Sequence, residues 1–206
     1  MAAESSTNVT DQLCAAIMSG NVKAMNVAIA AGAEIDKQND KGLPPIALPQ
    51  NTPATVRCLI AAGANMSVKV GGEFKYSLLH IYATQNNVTV LRALLEAGAD
   101  PCTLSHDGQP PLNFAITYAT PPLDETIKLF KEFGADLNYV TPKEFGAGSA
   151  LDFAVQGKKL EVIKSLLREG AWPGRLTDDY QRYKKLSPAV RCVPAFILIL
   201  LLVLRP

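Results

Sequence analysis

Two histidines, His80 and His106, are the residues an enzyme would draw on first, as a general base or a metal ligand. His80 lies in an apolar, patterned segment, where a neutral imidazole with one donor and one acceptor can hydrogen-bond backbone in an adjoining turn. His106 falls between patterned segments and reads as a solvated loop residue. Chain position brings no Ser, Cys or Lys nucleophile into an arrangement with either ring, so nucleophilic catalysis is not expected. Asp100 and Asp152 are the carboxylates an acid–base pair would use, but turn or cap hydrogen bonding explains each. The glycine pairs Gly71-Gly72 and Gly146-Ala147-Gly148 are not phosphate loops, because neither follows a strand in a βαβ unit or precedes Lys-Ser/Thr. Cys14, Cys58, Cys102 and Cys192 have no C-x-x-C spacing and no nearby histidine. They read as reduced, mostly buried thiols of a reducing compartment. No catalytic residue, metal or cofactor is expected.

The elements that carry these residues repeat. Gly32-Ala33, Gly63-Ala64, Gly98-Ala99, Gly134-Ala135 and Gly170-Ala171 recur, and each follows an amphipathic stretch such as Val90-Leu91-Arg92-Ala93-Leu94-Leu95. A glycine there suits a helix that ends in a left-handed residue. A shorter apolar segment precedes each long one, among them Leu78-Leu79-His80-Ile81-Tyr82-Ala83 and Ala150-Leu151-Asp152-Phe153-Ala154. Five units of turn, short helix and long helix follow, and such pairs bury their apolar faces only by stacking on neighbours.

The pattern resembles the ankyrin repeat. Ser77-Leu78-Leu79-His80 and Leu94-Leu95-Glu96-Ala97-Gly98-Ala99-Asp100 carry the likeness in the third unit. Asp107-Gly108-Gln109-Pro110-Pro111-Leu112-Asn113 and Phe133-Gly134-Ala135-Asp136-Leu137-Asn138 carry it in the fourth. The resemblance implies an all-α solenoid of antiparallel helix pairs, with β-hairpin-like finger loops and short helices lining a concave face. It also implies a protein-binding scaffold or adaptor, with contacts at Lys75, Tyr76, Thr84, Gln85, Gln109, Thr117, Tyr118 and Gln156. Tyr76 and Tyr118 stand out, because tyrosine is enriched where binding energy concentrates; both rings could instead pack between repeats. Phe74 is either a finger anchor or packed on the stack.

Two units depart from the pattern. Pro49 falls inside the second short helix, where an interior proline costs about 3 kcal/mol, so that helix should shrink to about one turn. Thr52-Pro53 then reads as the N-cap and first residue of the next helix. The fourth unit carries about three extra residues between its helices, around Ala119 to Pro122, which should push Pro121-Pro122 outward.

The domain reading is an N-terminal extension over 1–10, repeats over about 11–38, 39–72, 73–105, 106–141 and 142–174, a basic linker over 175–191 and a hydrophobic tail over 192–206. The net charge is +1, which gives no general attraction to nucleic acid. Charge is uneven: nine Lys/Arg against four Asp/Glu lie between Lys158 and Arg191, leaving residues 1–157 at −5. The N-terminus lacks the features of a signal peptide, so a cytoplasmic monomer with a protein partner is expected. The uncharged run Cys192–Leu204 would reach about 20 Å as a helix, short of a hydrocarbon core of about 30 Å. A membrane-attached adaptor that uses this tail, and a protein inhibitor or regulatory subunit of an enzyme, are the alternatives.

Overall fold

The computed structural model describes residues 2–142, 144 and 148–172. The linker, the hydrophobic tail with Cys192, and Gly146 and Ala147 lie outside the described residues. Among the described residues there are nine α-helices: α1 (Ala2–Met18), α2 (Val22–Ala30), α3 (Pro53–Ala61), α4 (Leu78–Thr84), α5 (Val88–Glu96), α6 (Pro111–Tyr118), α7 (Asp124–Glu132), α8 (Ala150–Gln156) and α9 (Leu160–Arg168). Short 3-10 turns lie at Pro45–Ala47 and Gly72–Phe74. The segment read as an N-terminal extension is helical, because α1 begins at Ala2.

The recurring Gly-Ala pairs end the five long helices in one way. At Gly98 the backbone is left-handed, with φ 92°. Its N–H donates to the Leu95 carbonyl (3.0 Å), and that of Ala99 donates to the Leu94 carbonyl (3.0 Å). This pair of bonds satisfies carbonyls that the helix end would otherwise leave open. Gly32, Gly63, Gly134 and Gly170 have φ between 89° and 96° and repeat the bonding. Alanine follows because the next side chain turns back toward the packed face, where Ala33, Ala64 and Ala171 are buried.

The chain divides into two compact units, one made of residues up to Tyr82 with Asn87–Asp100, the other of Ala83–Asn86 with the described residues from Pro101 onward. In the first unit α1 packs on α2, α2 on α3 and α3 on α5, and Leu13, Ile17, Met25, Ile46, Val56, Leu59, Leu91 and Leu94 form the core. In the second, short helix α6 packs on short helix α8 and long helix α7 on long helix α9, around Leu112, Ile127, Phe130, Leu151, Ile163 and Leu166. This is the all-α, stacked-pair architecture expected.

Pro49 has the expected effect. The second short helix is reduced to the 3-10 turn Pro45–Ala47, and Thr52 caps α3 through Thr55, with Pro53 at its first position. The lost helical hydrogen bonds are replaced from outside the turn. The Tyr82 hydroxyl lies 2.8 Å from the Ile46 carbonyl and 2.9 Å from that of Leu48. Asn51 Nδ2 donates to the carbonyls of Pro45 (2.9 Å) and Leu48 (3.0 Å) and to the Tyr82 oxygen (3.0 Å). Asn51 Oδ1 accepts from the Thr55 hydroxyl at 2.9 Å. All of these side chains are buried, so each bond prevents a polar group from being left dry and unpaired. Burial raises the Tyr82 phenol pKa, which keeps the hydroxyl protonated as a donor.

Candidate functional site

His80 is fully buried, and its Nδ1 accepts the backbone N–H of Ser77 at 3.2 Å. Because that N–H can only donate, the ring hydrogen sits on Nε2. Ser77 Oγ lies 2.7 Å from the same Nδ1, which corrects the expectation that no serine approaches this histidine. The spacing resembles a nucleophile–base pair, but both residues are buried at the start of α4 and the Nδ1 lone pair is already shared with a backbone N–H. The fifth repeat shows the same device: Ser149 and Asp152 form a reciprocal cap at the start of α8, with Asp152 Oδ2 accepting from Ser149 N (2.7 Å) and Oγ (2.8 Å). Asp152 is thus structural. In the fourth repeat Pro110 occupies the cap position without an N–H, and the Asn113 amide nitrogen, at the register of His80 and Asp152, is left without a partner.

Cys14, Cys58 and Cys102 are reduced thiols that form no disulfide. Contrary to expectation none is fully buried: Cys14 and Cys58 are half-buried and Cys102 is exposed. Burial, aided at Cys14 by Asp11, pushes the thiols of Cys14 and Cys58 above their ordinary range and away from reactive thiolate. Among the described residues no group of three or more His, Cys, Asp or Glu could hold a metal ion.

The residues expected at a binding surface lie in both units. In the first, Gly71–Gly72 turns a finger whose two sides pair at Val70 and Tyr76 through reciprocal backbone bonds of 2.9 Å. Lys75 is exposed and left-handed, with φ 51°. Tyr76 is half-buried, because its ring lies over the Gly71 backbone; a Cβ built there would come within 2.9 Å of the ring. The ring offered to solvent is instead Phe74, 51% exposed and stacked on Tyr76 at 5.6 Å and 7°. Tyr76 is thus the platform and Phe74 the exposed face.

In the second unit Tyr118 is 62% exposed at the end of α6, tilted against Phe114 at 5.3 Å. Thr117, Gln85 and Gln156 are exposed as well, while Thr84 and Gln109 are half-buried. The inter-helix insertion carries Pro121-Pro122 on the surface, as expected. Its position is held from the preceding repeat, where Asn86 Nδ2 donates to the Pro122 carbonyl (2.8 Å) and Asn86 Oδ1 accepts from the Thr126 hydroxyl (2.5 Å). From the following repeat, Lys159 Nζ donates to the carbonyls of Ile116 and Thr117 (3.0 Å to the latter), closing the end of α6. Partial burial lowers the Lys159 pKa. These anchors are not legible in the sequence, since each joins residues more than 35 positions apart; only the polar character of Asn86 and Lys159 next to a helix start hints at them.

Comparison with known proteins agrees with this geometry. A family model described as ankyrin repeats in many copies matches residues 79–121. The human B-cell lymphoma 3 protein is 31% identical over 159 residues, covering 71% of this chain and 33% of that protein. A putative ankyrin repeat-containing protein of Treponema pallidum (strain Nichols) is 32% identical over 108 residues, covering 52% of this chain and 36% of its own length. The chain spans about a third of the length of these curated relatives.

Proposed function

We propose that this ankyrin-repeat protein is a non-catalytic adaptor that holds a partner protein through its finger loops and the ends of its short helices. The observation that carries the reading is the pair of exposed aromatic rings, Phe74 and Tyr118, each seated on a second ring by local packing. A large apolar ring held in water at a fixed orientation contributes little to folding. It binds with little further loss of side-chain freedom, which is why aromatic residues dominate interface energetics. Lys75 follows Phe74 and Thr117 precedes Tyr118 in the chain, and both are exposed, as are Gln85 and Gln156 at the ends of α4 and α8, in keeping with the polar rim of an interface. The reading places the protein in the cytoplasm as a monomer that makes no use of nucleic acid.

The test is affinity purification with the full chain, partner identification by mass spectrometry, and comparison with a Phe74→Ala/Tyr118→Ala variant. Loss of the partner with an unchanged melting temperature supports the reading. Retained binding by that variant, together with loss in a long-helix surface variant such as Lys128→Glu, would place the interface on the opposite side. Attachment to a membrane through residues 192–206 is the second reading, favoured by the uncharged run Cys192–Leu204. Among the described residues no helix is long and apolar enough to cross a membrane. Flotation of the full chain with vesicles, lost on truncation before Cys192, would establish that attachment; a full chain that stays in the dense fraction would dismiss it.

A further inference from the structure

Within the second unit, three consecutive short helices end along one edge, at Thr84-Gln85-Asn86, at Thr117-Tyr118 and at Gln156-Gly157-Lys158. The edge is cross-linked, by Asn86 to the insertion after Tyr118 and by Lys159 to the carbonyls just before it. Its exposed side chains are Gln85, Thr117, Tyr118, Thr120, Gln156 and Lys158. Among the described residues no carboxylate lies on it. The carboxylates nearest along the chain are Glu161, three residues after Lys158, Asp152, buried in its cap with Ser149, and Asp124, whose Oδ1 is taken up by Ser165 Oγ (2.7 Å) and Arg168 (3.5 Å). Glu161 and Glu169 are likewise paired, with Lys164 (2.7 Å) and Lys131 (3.0 Å). Asp124, Asp152, Glu161 and Glu169 are thus already engaged in pairs or a cap.

Lys158 gives this edge a specific meaning. It is left-handed, with φ 52°, and its N–H donates to the Val155 carbonyl (3.0 Å) while that of Lys159 donates to the Ala154 carbonyl (3.0 Å). The equivalent positions at the ends of α1 and α4 hold Gly20 and Asn86, the residue types suited to this backbone. Lysine carries a Cβ penalty there that glycine would remove, and strain of this kind concentrates where a side chain is needed for binding. The Lys158 side chain is exposed.

We infer that this edge binds an extended, acidic segment of a partner protein, with a partner carboxylate on Lys158, an apolar or prolyl side chain on the Tyr118 ring, and hydrogen bonds to Gln85 and Gln156. The inference rests on the protein-binding reading above and names its partner's chemistry. Neighbouring packed helices lie about 8–10 Å apart, so three helix ends span roughly 20 Å. An extended segment of about six residues covers that distance at about 3.3 Å per residue.

The test is to pan a displayed random dodecapeptide library against the full chain. The tightest recovered peptide is then measured by fluorescence anisotropy against the native chain and four variants, Lys158→Gly, Lys158→Glu, Tyr118→Ala and Phe74→Ala. Recovered peptides should be enriched in Asp and Glu, and binding should weaken as salt rises. Lys158→Gly should raise the melting temperature by about 2–4 °C, because the strain is relieved, while weakening binding about three- to fivefold. Lys158→Glu and Tyr118→Ala should each weaken it about tenfold or more. Better folding with poorer binding is an outcome a purely structural lysine would not produce. Peptides without acidic enrichment, or unchanged affinity in Lys158→Gly, would overturn the inference. Binders that respond to Phe74→Ala alone would overturn it while sustaining the adaptor function, and a library that yields no binder would count against both.

Discussion

Replacing Tyr82 by phenylalanine tests how the second repeat survives without a proper short helix. The substitution keeps the ring and its packing and removes one oxygen, so no cavity of consequence is created. That oxygen accepts from Asn51 Nδ2 and donates into the pair of carbonyls at Ile46 and Leu48. After its removal Asn51 Nδ2 still reaches Pro45 and Leu48, and the Leu48 carbonyl keeps the Asn51 amides. The Ile46 carbonyl, in a fully buried residue, loses its donor. A lost hydrogen bond counts about 1 kcal/mol and a buried group left unpaired about 1–3 kcal/mol, so the expected destabilisation is about 2–3 kcal/mol. For a chain of this size that lowers the melting temperature by about 5–10 °C. Urea unfolding followed by circular dichroism should show a lower midpoint at an unchanged slope. The pH dependence adds a second check. Burial raises the Tyr82 pKa in the folded chain, so its contribution is complete below the ordinary tyrosine value near 10 and is lost as pH climbs through the higher folded value. The gap between the native chain and the phenylalanine variant should therefore be constant at neutral pH and narrow in strong alkali. A midpoint within about 0.5 kcal/mol of the native one would refute the view that this hydroxyl replaces the missing helical bonds.

Gly98→Val should destabilise by about 1–2 kcal/mol. No atom lies within 4 Å of the added Cβ, so the loss measured in a urea titration isolates backbone strain. Gly71→Ala combines a φ of 80° with a 2.9 Å clash on the Tyr76 ring, and should displace the Phe74–Tyr76 stack. It is expected to lower affinity for a finger-bound partner as much as Phe74→Ala does; unchanged binding would show that the stack is not the contact. Ser149→Ala should cost about 1 kcal/mol through loss of the reciprocal cap with Asp152, read as a lower melting temperature.

The amino-acid sequence by itself determined much of what rests on backbone rules among near neighbours. The five Gly-Ala helix ends were legible because each motif closes within six residues. So were the collapse of the helix at Pro49, the Thr52-Pro53 start and the outward Pro121-Pro122, all consequences of steric rules on one or two residues. The protein-binding class followed from the repeat, and the list of contact positions was a register argument, of which Gln85, Thr117, Tyr118 and Gln156 lie exposed. Tertiary structure decided what depends on distant partners. Tyr76 and Phe74 are separated by one residue and carry similar rings, and only the fold of the finger over Gly71 sends one inward and leaves the other in water. Ser77 and Ser149 became caps through the orientation of the side chains three residues on. Tyr82 and Asn51 are 31 positions apart, Asn86 and Pro122 are 36, and Lys159 and Ile116 are 43. No local pattern links such pairs, because a side-chain hydrogen bond is set by where two backbones meet once the apolar faces have stacked. That stacking also fixes Lys158 in a conformation its own residue type disfavours.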